Sequence, residues 1–408
     1  MPKAVAGVAV AVINAIKHRS HVVVLVKLCL CLLFATTTSY ATVLPEERTD
    51  IFYSVYDGGG SEIDGPAILV RKNFKEKVSV WGHYFVDLQT SASIDVVTQG
   101  SPYEERRDER SVGLDYLHAR STMSLRFTNS SENDYEANTV GFGLSQDFFG
   151  DLTTLTLNYS RGEDTVRRNV RENGEIVSAD EVGEALRKRF SLGLTQILTK
   201  NWMLALNVES VIDEGYLRNP YRSVRFLTPS SVGRAEERYP TTRNSDAFAL
   251  RSVYYLPYRA ALRLEYRLFS DSWGIEANQY ELRYIQPYGD NWTFQLKYRY
   301  YSQDDADFYS ELLPFQDSQE FFGSDKELST YTDNTIGVGI SYNINADFLS
   351  FFDKTSVNLY WDVMSYDYEN FLDKRESSGD NPSGIAPGEE RPFSFDANVV
   401  RLFFSFYY

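Results

Sequence analysis

The chain has 408 residues, with 41 Lys or Arg against 57 Asp or Glu, which gives a formal net charge of −16. This acidic balance excludes nucleic acid as the expected partner, because phosphate binding requires a basic face. Aromatic residues make up 15% of the chain, including 29 Tyr and 26 Phe. Such a content is typical of membrane β-barrels, which carry aromatic girdles at both membrane interfaces, although a tyrosine-rich soluble β-protein would share it.

Residues 1–41 are predicted to be a signal peptide. Basic residues precede an apolar run over residues 22–34, and Ser39-Tyr40-Ala41 offers a small-x-small cleavage site. The run is shorter than the about 20 apolar residues that a membrane-spanning helix needs. Cleavage would remove Cys29 and Cys31, the only cysteines, and leave 37 basic and 57 acidic residues, a net charge of −20. Disulfides, thiol chemistry and cysteine-bound metals are thereby excluded from the exported chain.

Sixteen segments from about residue 50 onward alternate apolar and polar residues with the period of a β-strand. In the segment from Trp292 to Tyr300 the even-numbered residues are apolar or aromatic, and the odd-numbered residues are polar or charged. Many segments are 9–12 residues long. This is close to the length that a tilted strand needs to cross a bilayer, and longer than the usual strand of a globular protein.

Short and long connections alternate along this series of predicted strands. The long, polar connections include residues 57–65, 129–137, 162–188, 213–246, 302–330 and 366–393. The alternation is typical of outer-membrane barrels with tight periplasmic turns and extended extracellular loops. It predicts an all-β fold, namely one transmembrane antiparallel β-barrel over residues 42–408, with about 16 strands (range about 14 to 18) and both termini in the periplasm.

The last predicted strand resembles the C-terminal signal of outer-membrane barrels, which the barrel-assembly machinery reads. Its apolar positions are every second residue, and the chain ends on an aromatic residue: Val400, Leu402, Phe404, Phe406 and Tyr408. One face of such a strand can meet lipid while the other meets a lumen. We therefore expect the bacterial outer membrane as the location, with lipid, lipopolysaccharide and the assembly machinery as partners. The competing interpretation is the last strand of a soluble β-sandwich.

The polar face of three successive predicted strands carries a group of charged residues. The members are Arg263, Glu265, Arg267, Glu281, Arg283, Lys297 and Arg299. A sandwich would turn its apolar face inward, whereas a polar lumen suits this charged face. The arginines would form either a basic ladder that selects anions or a structural ladder paired with the two glutamates. We favour the structural ladder, because an unpaired charge is costly and partners are at hand.

Several further segments, taken in order, resemble the domain-of-unknown-function family 3570, a family of exported Gram-negative bacterial proteins. The segments are Tyr103-Glu104-Glu105-Arg106, Ser131-Glu132-Asn133-Asp134-Tyr135, Arg238-Tyr239-Pro240-Thr241-Thr242-Arg243, Tyr266-Arg267 followed by Asp271-Ser272-Trp273-Gly274, and Arg299-Tyr300-Tyr301-Ser302-Gln303 with Ala306-Asp307-Phe308-Tyr309. The resemblance covers nearly the whole exported chain. It implies an outer-membrane barrel, and it brings no catalytic residues.

The remaining candidate residues predict neither a catalytic site nor a metal site. Only His83 and His118 remain after the leader, and neither lies in a motif that supplies a base and a nucleophile. We expect His83 to be a lumen-wall residue. The long loop over residues 213–246 is the candidate constriction of the pore, with Arg238, Tyr239 and Arg243 as its marked residues. No cofactor is predicted.

The expected function is passage of polar solutes of unknown identity through the barrel. At about 16 strands a barrel is wide enough for an aqueous channel unless loops fill it. The alternative is a structural or docking barrel with periplasmic or lipoprotein partners. An outer-membrane hydrolase is the third interpretation, and the lack of a histidine constellation argues against it, so the protein is not expected to be an enzyme.

Overall fold

The computed structural model describes residues 43–91, 103–172, 175–345, 349, 351–378 and 384–408. The predicted signal peptide, residues 1–41, lies outside these residues, and its cleavage stays a prediction. Among the described residues, no helix has the length and apolar character needed to span a membrane.

Sixteen antiparallel strands form a closed barrel in which neighbours in sequence pair with each other. The first group of strands is β1 (Arg48–Gly58), β2 (Ser61–Phe74), β3 (Val78–Ser91), β4 (Tyr103–His118), β5 (Ser121–Ser131), β6 (Tyr135–Phe148), β7 (Thr153–Glu172), β8 (Glu175–Thr199) and β9 (Trp202–Gly215). The second group is β12 (Thr242–Tyr255), β13 (Ala261–Asp271), β14 (Glu276–Tyr288), β15 (Trp292–Gln303), β17 (Tyr331–Ile344), β18 (Lys354–Leu372) and β19 (Pro392–Tyr407). Pairing of β1 with β19 closes the barrel.

The two faces of the wall differ as the alternation predicts. On β15, Phe294, Leu296 and Tyr298 are 42%, 54% and 46% exposed. The side chains of Lys297 and Arg299, which point the other way, are only 11% and 23% exposed. The apolar side chains therefore form the outer surface and the charged ones face the interior, which is the reverse of a soluble sandwich.

Short turns join the strands at the end that carries both termini, hereafter the turn end. The connections 119–120 and 200–201 have two residues each, and those after β2, β6 and β14 are also short. Exposed aromatic residues surround the outer wall at this level, including Phe74, Tyr116, Phe149, Trp202, Tyr258, Tyr288 and Trp292. This is the position of an interfacial aromatic girdle.

The opposite end, hereafter the loop end, differs in detail from the sequence prediction. Three predicted long loops are largely strand as far as described: residues 57–65, 129–137 and 162–188. The first contains a two-residue turn in which Gly59 and Gly60 have φ of +60° and +80°, the geometry that favours glycine in a hairpin. In the third, β7 and β8 continue to pair as charged strands. These parts of the two strands lack the apolar alternation from which the other strands were predicted.

Three long connections pack together at the loop end, and we name them the cap: residues 216–241, 304–330 and 373–391 as far as described. The cap contains a small sheet of β10 (Ser223–Leu227), β11 (Val232–Glu236) and β16 (Leu312–Leu313). One apolar cluster of the cap joins Val224, Leu313 and Phe322, all of them buried. Because these residues come from two separate connections, the cap is a folded unit of side chains from distant parts of the sequence.

Candidate functional site

Four charged residues form one basic and one acidic pair on the interior face of β13 and β14. Glu265 lies directly opposite Glu281, and Arg263 lies directly opposite Arg283. Like charges in such positions repel each other, but ion pairs along each strand compensate. Arg263 Nη2 is 2.8 Å from Glu265 Oε2, and Arg283 Nη2 is 2.8 Å from Glu281 Oε1. Arg251 on β12 adds a second contact of 2.7 Å to Glu265.

A second group of ion pairs joins β15, β18 and β19. Lys297 Nζ is 2.7 Å from Asp362 Oδ1, although β17 lies between their strands. The residue of β17 in the same row is Gly337, which pairs with both. A Cβ atom there would lie 2.0 Å from Asp362 Oδ1, so the ion pair needs a glycine beneath it. Arg401 binds the same carboxylate from β19.

Arg299 completes a continuous row of charges. Its Nη2 is 2.8 Å from Asp333 Oδ1, and that oxygen also accepts a hydrogen bond from Thr335. These interior charges form one set, which we name the charged band: Arg251, Arg263, Glu265, Glu281, Arg283, Lys297, Arg299, Asp333, Asp362 and Arg401. The band crosses the neighbouring strands β12 to β15 and β17 to β19. It contains six basic and four acidic residues.

The structure thus brings together six of the seven charged residues that the sequence marked. Arg267 differs: its side chain is exposed, and within the described part of the chain it has no ion pair. Sequence reasoning missed Arg251, Asp333, Asp362 and Arg401. Each of them lies on a strand that alternates apolar and polar residues, so its interior position could have been predicted. Their ion-pair partners could not, because these depend on the register between strands.

His83 lies on the interior face at the side of a recess of 460 Å³, hereafter the recess. Six of its lining residues are Trp81, His83, Glu109, Ser111, Arg126 and Thr128, which come from β3, β4 and β5. His83 is directly opposite Ser111, whose hydroxyl lies 2.8 Å from that of Thr128. As far as the chain is described, no hydrogen bond joins His83 to Ser111, so the pair does not form a base and nucleophile.

The predicted constriction residues lie at the loop end, in two different elements. Arg243 belongs to β12 rather than to the loop, and its Nη2 is 2.5 Å from Asp271 Oδ2. Tyr239 packs against Trp273 and Phe308 at ring distances of 5.5 and 5.3 Å, so it anchors the loop to its surroundings. Burial raises the pKa of Tyr239, and so does the negative charge of Glu237, whose carboxylate accepts a hydrogen bond from the Tyr239 hydroxyl.

Arg238 is exposed and pairs with exposed Asp317 at 2.9 Å. Contacts with β15 and β19 come from another segment of the cap, residues 304–330. Gln303, at the end of the interior face of β15, donates hydrogen bonds of 2.9 Å to the carbonyls of Glu327 and Ser329. Lys326 Nζ lies 5.6 Å from the ring centroid of Phe395 on β19. A constriction by Arg238 and Tyr239 stays a prediction.

Buried charges join the three connections of the cap. Arg225 of β10 contacts Glu390 and, at 3.4 Å, Glu311, while Lys374 Nζ lies 3.3 Å from Glu311. All four side chains are at most 9% exposed. Burial raises the pKa of Glu311 to about 7, although Lys374 and Arg225 oppose the shift. Nothing in the sequence predicted this cluster, because its members are far apart along the chain.

Three carboxylates come close together at the loop end, on β4 and in the β5–β6 turn. One oxygen from each of Glu105, Glu132 and Asp134 lies within 4.8 Å of the others. Tyr221 of the cap donates a hydrogen bond of 2.6 Å to Asp134. The groups are half-exposed, and exposed carboxylates of this kind commonly occur without a metal, so we assign no metal to them.

The C-terminal strand has the face pattern that its sequence predicts. Val400 is 38% exposed on the outer wall, whereas Arg401 and buried Ser405 face the interior. Tyr408 follows β19 and lies against β1 and β2: its hydroxyl donates to the carbonyl of Arg71 at 3.2 Å. Recognition of this strand by the barrel-assembly machinery stays a prediction, as do lipopolysaccharide and lipoprotein partners.

Comparison with solved structures finds barrels of the outer membrane. A bacterial polysaccharide outer membrane secretin has 7% identity and a TM-score of 0.46, with 90% of this chain and 100% of that chain covered. The Pseudomonas aeruginosa protein OccK2 has 11% identity and a TM-score of 0.41, with 90% and 99% covered. The siderophore receptor PirA from Acinetobacter baumannii has 10% identity and a TM-score of 0.42, with 80% and 53% covered.

No curated protein matches the chain. A family model does match it, over residues 35–360, and its description is "Protein of unknown function (DUF3570)". This range includes the strands from β1 to β17 and most of the charged band. The chain, an antiparallel barrel of the outer-membrane type, therefore belongs to the DUF3570 family.

Proposed function

We propose that the protein is an outer-membrane channel that lets small polar or charged solutes pass through the barrel interior. The charged band is the observation that supports this function. A barrel filled by a dry core would bury apolar side chains in its interior, whereas here the interior face carries ten charged residues on adjacent strands. Barrels of 16 strands are wide enough to leave an aqueous path.

The composition of the charged band favours weak selection for anions. Its ion pairs hold the charges at fixed positions, and basic residues exceed acidic ones by two. Charged side chains that line a pore set its ion selectivity. The proposed function needs no cofactor and no catalytic residue, and we propose that the protein is not an enzyme.

The cap supports the alternative function, a structural or docking barrel. It is held to the wall by Gln303 and held together by the buried charges around Arg225. If the cap closes the loop end completely, the barrel has no conductance. Its function would then be to bind a partner protein. The same experiment distinguishes the two functions.

The test is conductance of the purified protein in planar bilayers under a KCl gradient. We expect stepwise currents with a reversal potential that shows weak preference for chloride. Arg283→Gln should shift the preference toward potassium, because it removes a positive charge from the wall. Arg161→Gln is the matched control: Arg161 pairs with Glu163 on the outer side of β7, so selectivity should not change. Bilayers that stay silent would contradict the channel and favour the docking barrel.

A further inference from the structure

We propose that the recess on β2 to β6 binds a small hydroxylated carboxylate, a polyol acid. This inference rests on the proposed function, since it names the class of solute that would bind inside the channel. Three features of the recess support it: one uncompensated arginine, a group of hydroxyls and an indole lying against the wall.

Arg126 gives the recess its charge. Its side chain is exposed, and among the residues with described positions it has neither an ion pair nor a hydrogen bond. The other charges close by are compensated. Arg107 Nη2 lies 2.8 Å from Glu109 Oε2, and Arg71 Nη1 lies 2.5 Å from Asp115 Oδ2. The recess therefore presents one free guanidinium, whose planar donors match a carboxylate.

The same charges favour a carboxylate over a phosphate monoester. Glu109 and Arg126 line the recess on opposite sides of the Ser111–Thr128 pair, so a ligand with two negative charges would gain one cation at one end and meet a carboxylate at the other. A ligand with a single negative charge can pair with Arg126 and place its uncharged end toward Glu109. Glu109 would then accept a hydrogen bond from a ligand hydroxyl.

Hydroxyl side chains line the recess between Arg126 and Glu109. Ser111, Thr128 and Thr139 line it from three neighbouring strands, and the first two hydroxyls lie 2.8 Å apart. A hydroxyl both donates and accepts, so this group can match the hydroxyls of a polyol. A purely apolar carboxylate would form none of these hydrogen bonds, although Ser111 and Thr128 would keep the bond to each other.

Trp81 supplies a flat apolar surface. A Cβ atom at Gly113, its cross-strand neighbour on β4, would lie 2.3 Å from the indole atoms Cε2 and Cζ2. Glycine thus allows the indole to lie against the wall rather than to project across the lumen. The half-buried ring can contact the C–H groups of a ligand. The volume of 460 Å³ is within the usual range of small-molecule sites.

The test is isothermal titration of the full exported chain in detergent with three ligands of six carbon atoms. Gluconate carries the carboxylate and the hydroxyls, sorbitol the hydroxyls alone and hexanoate the carboxylate alone. We expect gluconate to bind at least about tenfold more tightly than either of the others. Sorbitol lacks the charge-assisted contact with Arg126, and hexanoate lacks the hydroxyl contacts. Equal affinities for all three ligands would overturn the proposal.

Matched variants identify the site. Arg126→Gln should weaken gluconate binding about tenfold or more and leave sorbitol unchanged, whereas Trp81→Leu should weaken both ligands. Arg267→Gln removes another exposed interior arginine on β13 and should change gluconate affinity less than about twofold. If Arg267→Gln weakens binding as much as Arg126→Gln, the attraction is not local and the proposal fails.

Retention of the folded band in unheated gels confirms that each variant has formed a barrel. Gluconate binding without conductance would overturn the channel and keep the recess as a binding site. Conductance without gluconate binding would overturn the recess proposal alone.

Discussion

Lys297 on β15 and Asp362 on β18 form an ion pair of 2.7 Å that passes over the intervening strand β17. The pair is possible because Gly337 is the residue of β17 in the same row. The strand between two charged residues thus decides whether they can meet. This relationship connects the sequence of one strand with the electrostatics of its two neighbours.

Gly337→Ala should break this ion pair. The added Cβ atom would lie 2.0 Å from Asp362 Oδ1 and 2.9 Å from Lys297 Cε, so the two side chains must separate. We expect the free energy of unfolding to fall by about 1–3 kcal/mol, measured by urea titration in lipid vesicles. Gly141→Ala is the control, because its nearest neighbour would be 3.6 Å away, at an ordinary contact distance. Equal stability of the two variants would contradict the geometry.

Arg263→Gln should destabilise the barrel more than Arg267→Gln. Arg263 binds Glu265 at 2.8 Å, next to the directly opposed carboxylates of Glu265 and Glu281, and its loss leaves their repulsion less compensated. We expect a loss of about 1–2 kcal/mol for Arg263→Gln and less than about 0.5 kcal/mol for the exposed Arg267. The same urea titration measures both. A larger effect at Arg267 would show that the ion pairs of β13 and β14 do not determine stability.

Arg225→Met should release the cap while the barrel stays folded. The change leaves the fully buried carboxylate of Glu390 without its ion pair, which typically costs about 3–5 kcal/mol. We expect faster cleavage by a protease within residues 216–241. Arg238→Met removes an exposed ion pair, in which the two side chains are 50% and 56% exposed, and should change cleavage little. Similar cleavage rates for both variants would contradict a cap held by its buried charges.

Cap stability should rise as the pH falls from 8 toward 5. Burial raises the pKa of Glu311 to about 7 from its ordinary value of 4.5. Between these two values the docked cap binds more protons than the released cap, so acid favours docking. Hydrogen exchange of the cap amides should therefore be slower at pH 5.5 than at pH 8, after correction for the intrinsic rate.

Glu311→Gln is the matching variant, since glutamine does not titrate. It should reduce the pH dependence of cap protection over this range. Burial would raise the pKa of Glu390, but the hydrogen bonds from Arg225 and Ser377 outweigh it and lower this pKa below its ordinary value of 4.5. Protonation of Glu390 therefore destabilises the docked cap only below about pH 4.5, outside the range of this experiment. A cap that is more protected at pH 8 than at pH 5.5 would contradict the assignment to Glu311.

The sequence was sufficient to predict the barrel, because alternation along a strand is a local property. Phe294, Leu296 and Tyr298 lie on the outer wall and Lys297 and Arg299 in the interior, as their positions indicate. The predicted number of about 16 strands is confirmed for the same reason. The predicted loop over residues 162–188 was wrong, because strands that extend beyond the membrane need no apolar face. Ion pairs stabilise this extension instead, such as that of Arg187 on β8 with Asp213 on β9.

The partners within the site could not be predicted in the same way. Asp362 meets Lys297 because of the register of β15, β17 and β18 and because a glycine occupies one position between them. The cap depends still more on long-range contacts, since Arg225 and Glu390 are 165 residues apart. Periodicity gives the direction of a side chain, but only the register of the closed sheet determines which side chain it meets.

The most direct test of a water-filled, charged interior is cysteine accessibility. Residues 42–408 contain no cysteine, so single cysteines can be placed at 264, 267, 125 and 126. Leu264 and Leu125 are 50% and 55% exposed on the outer wall, whereas Arg267 and Arg126 lie on the interior face. In lipid vesicles, a charged, water-soluble thiol reagent should modify cysteines at 267 and 126 and leave those at 264 and 125 unmodified. Modification at 264 and 125 with protection at 267 and 126 would contradict the account.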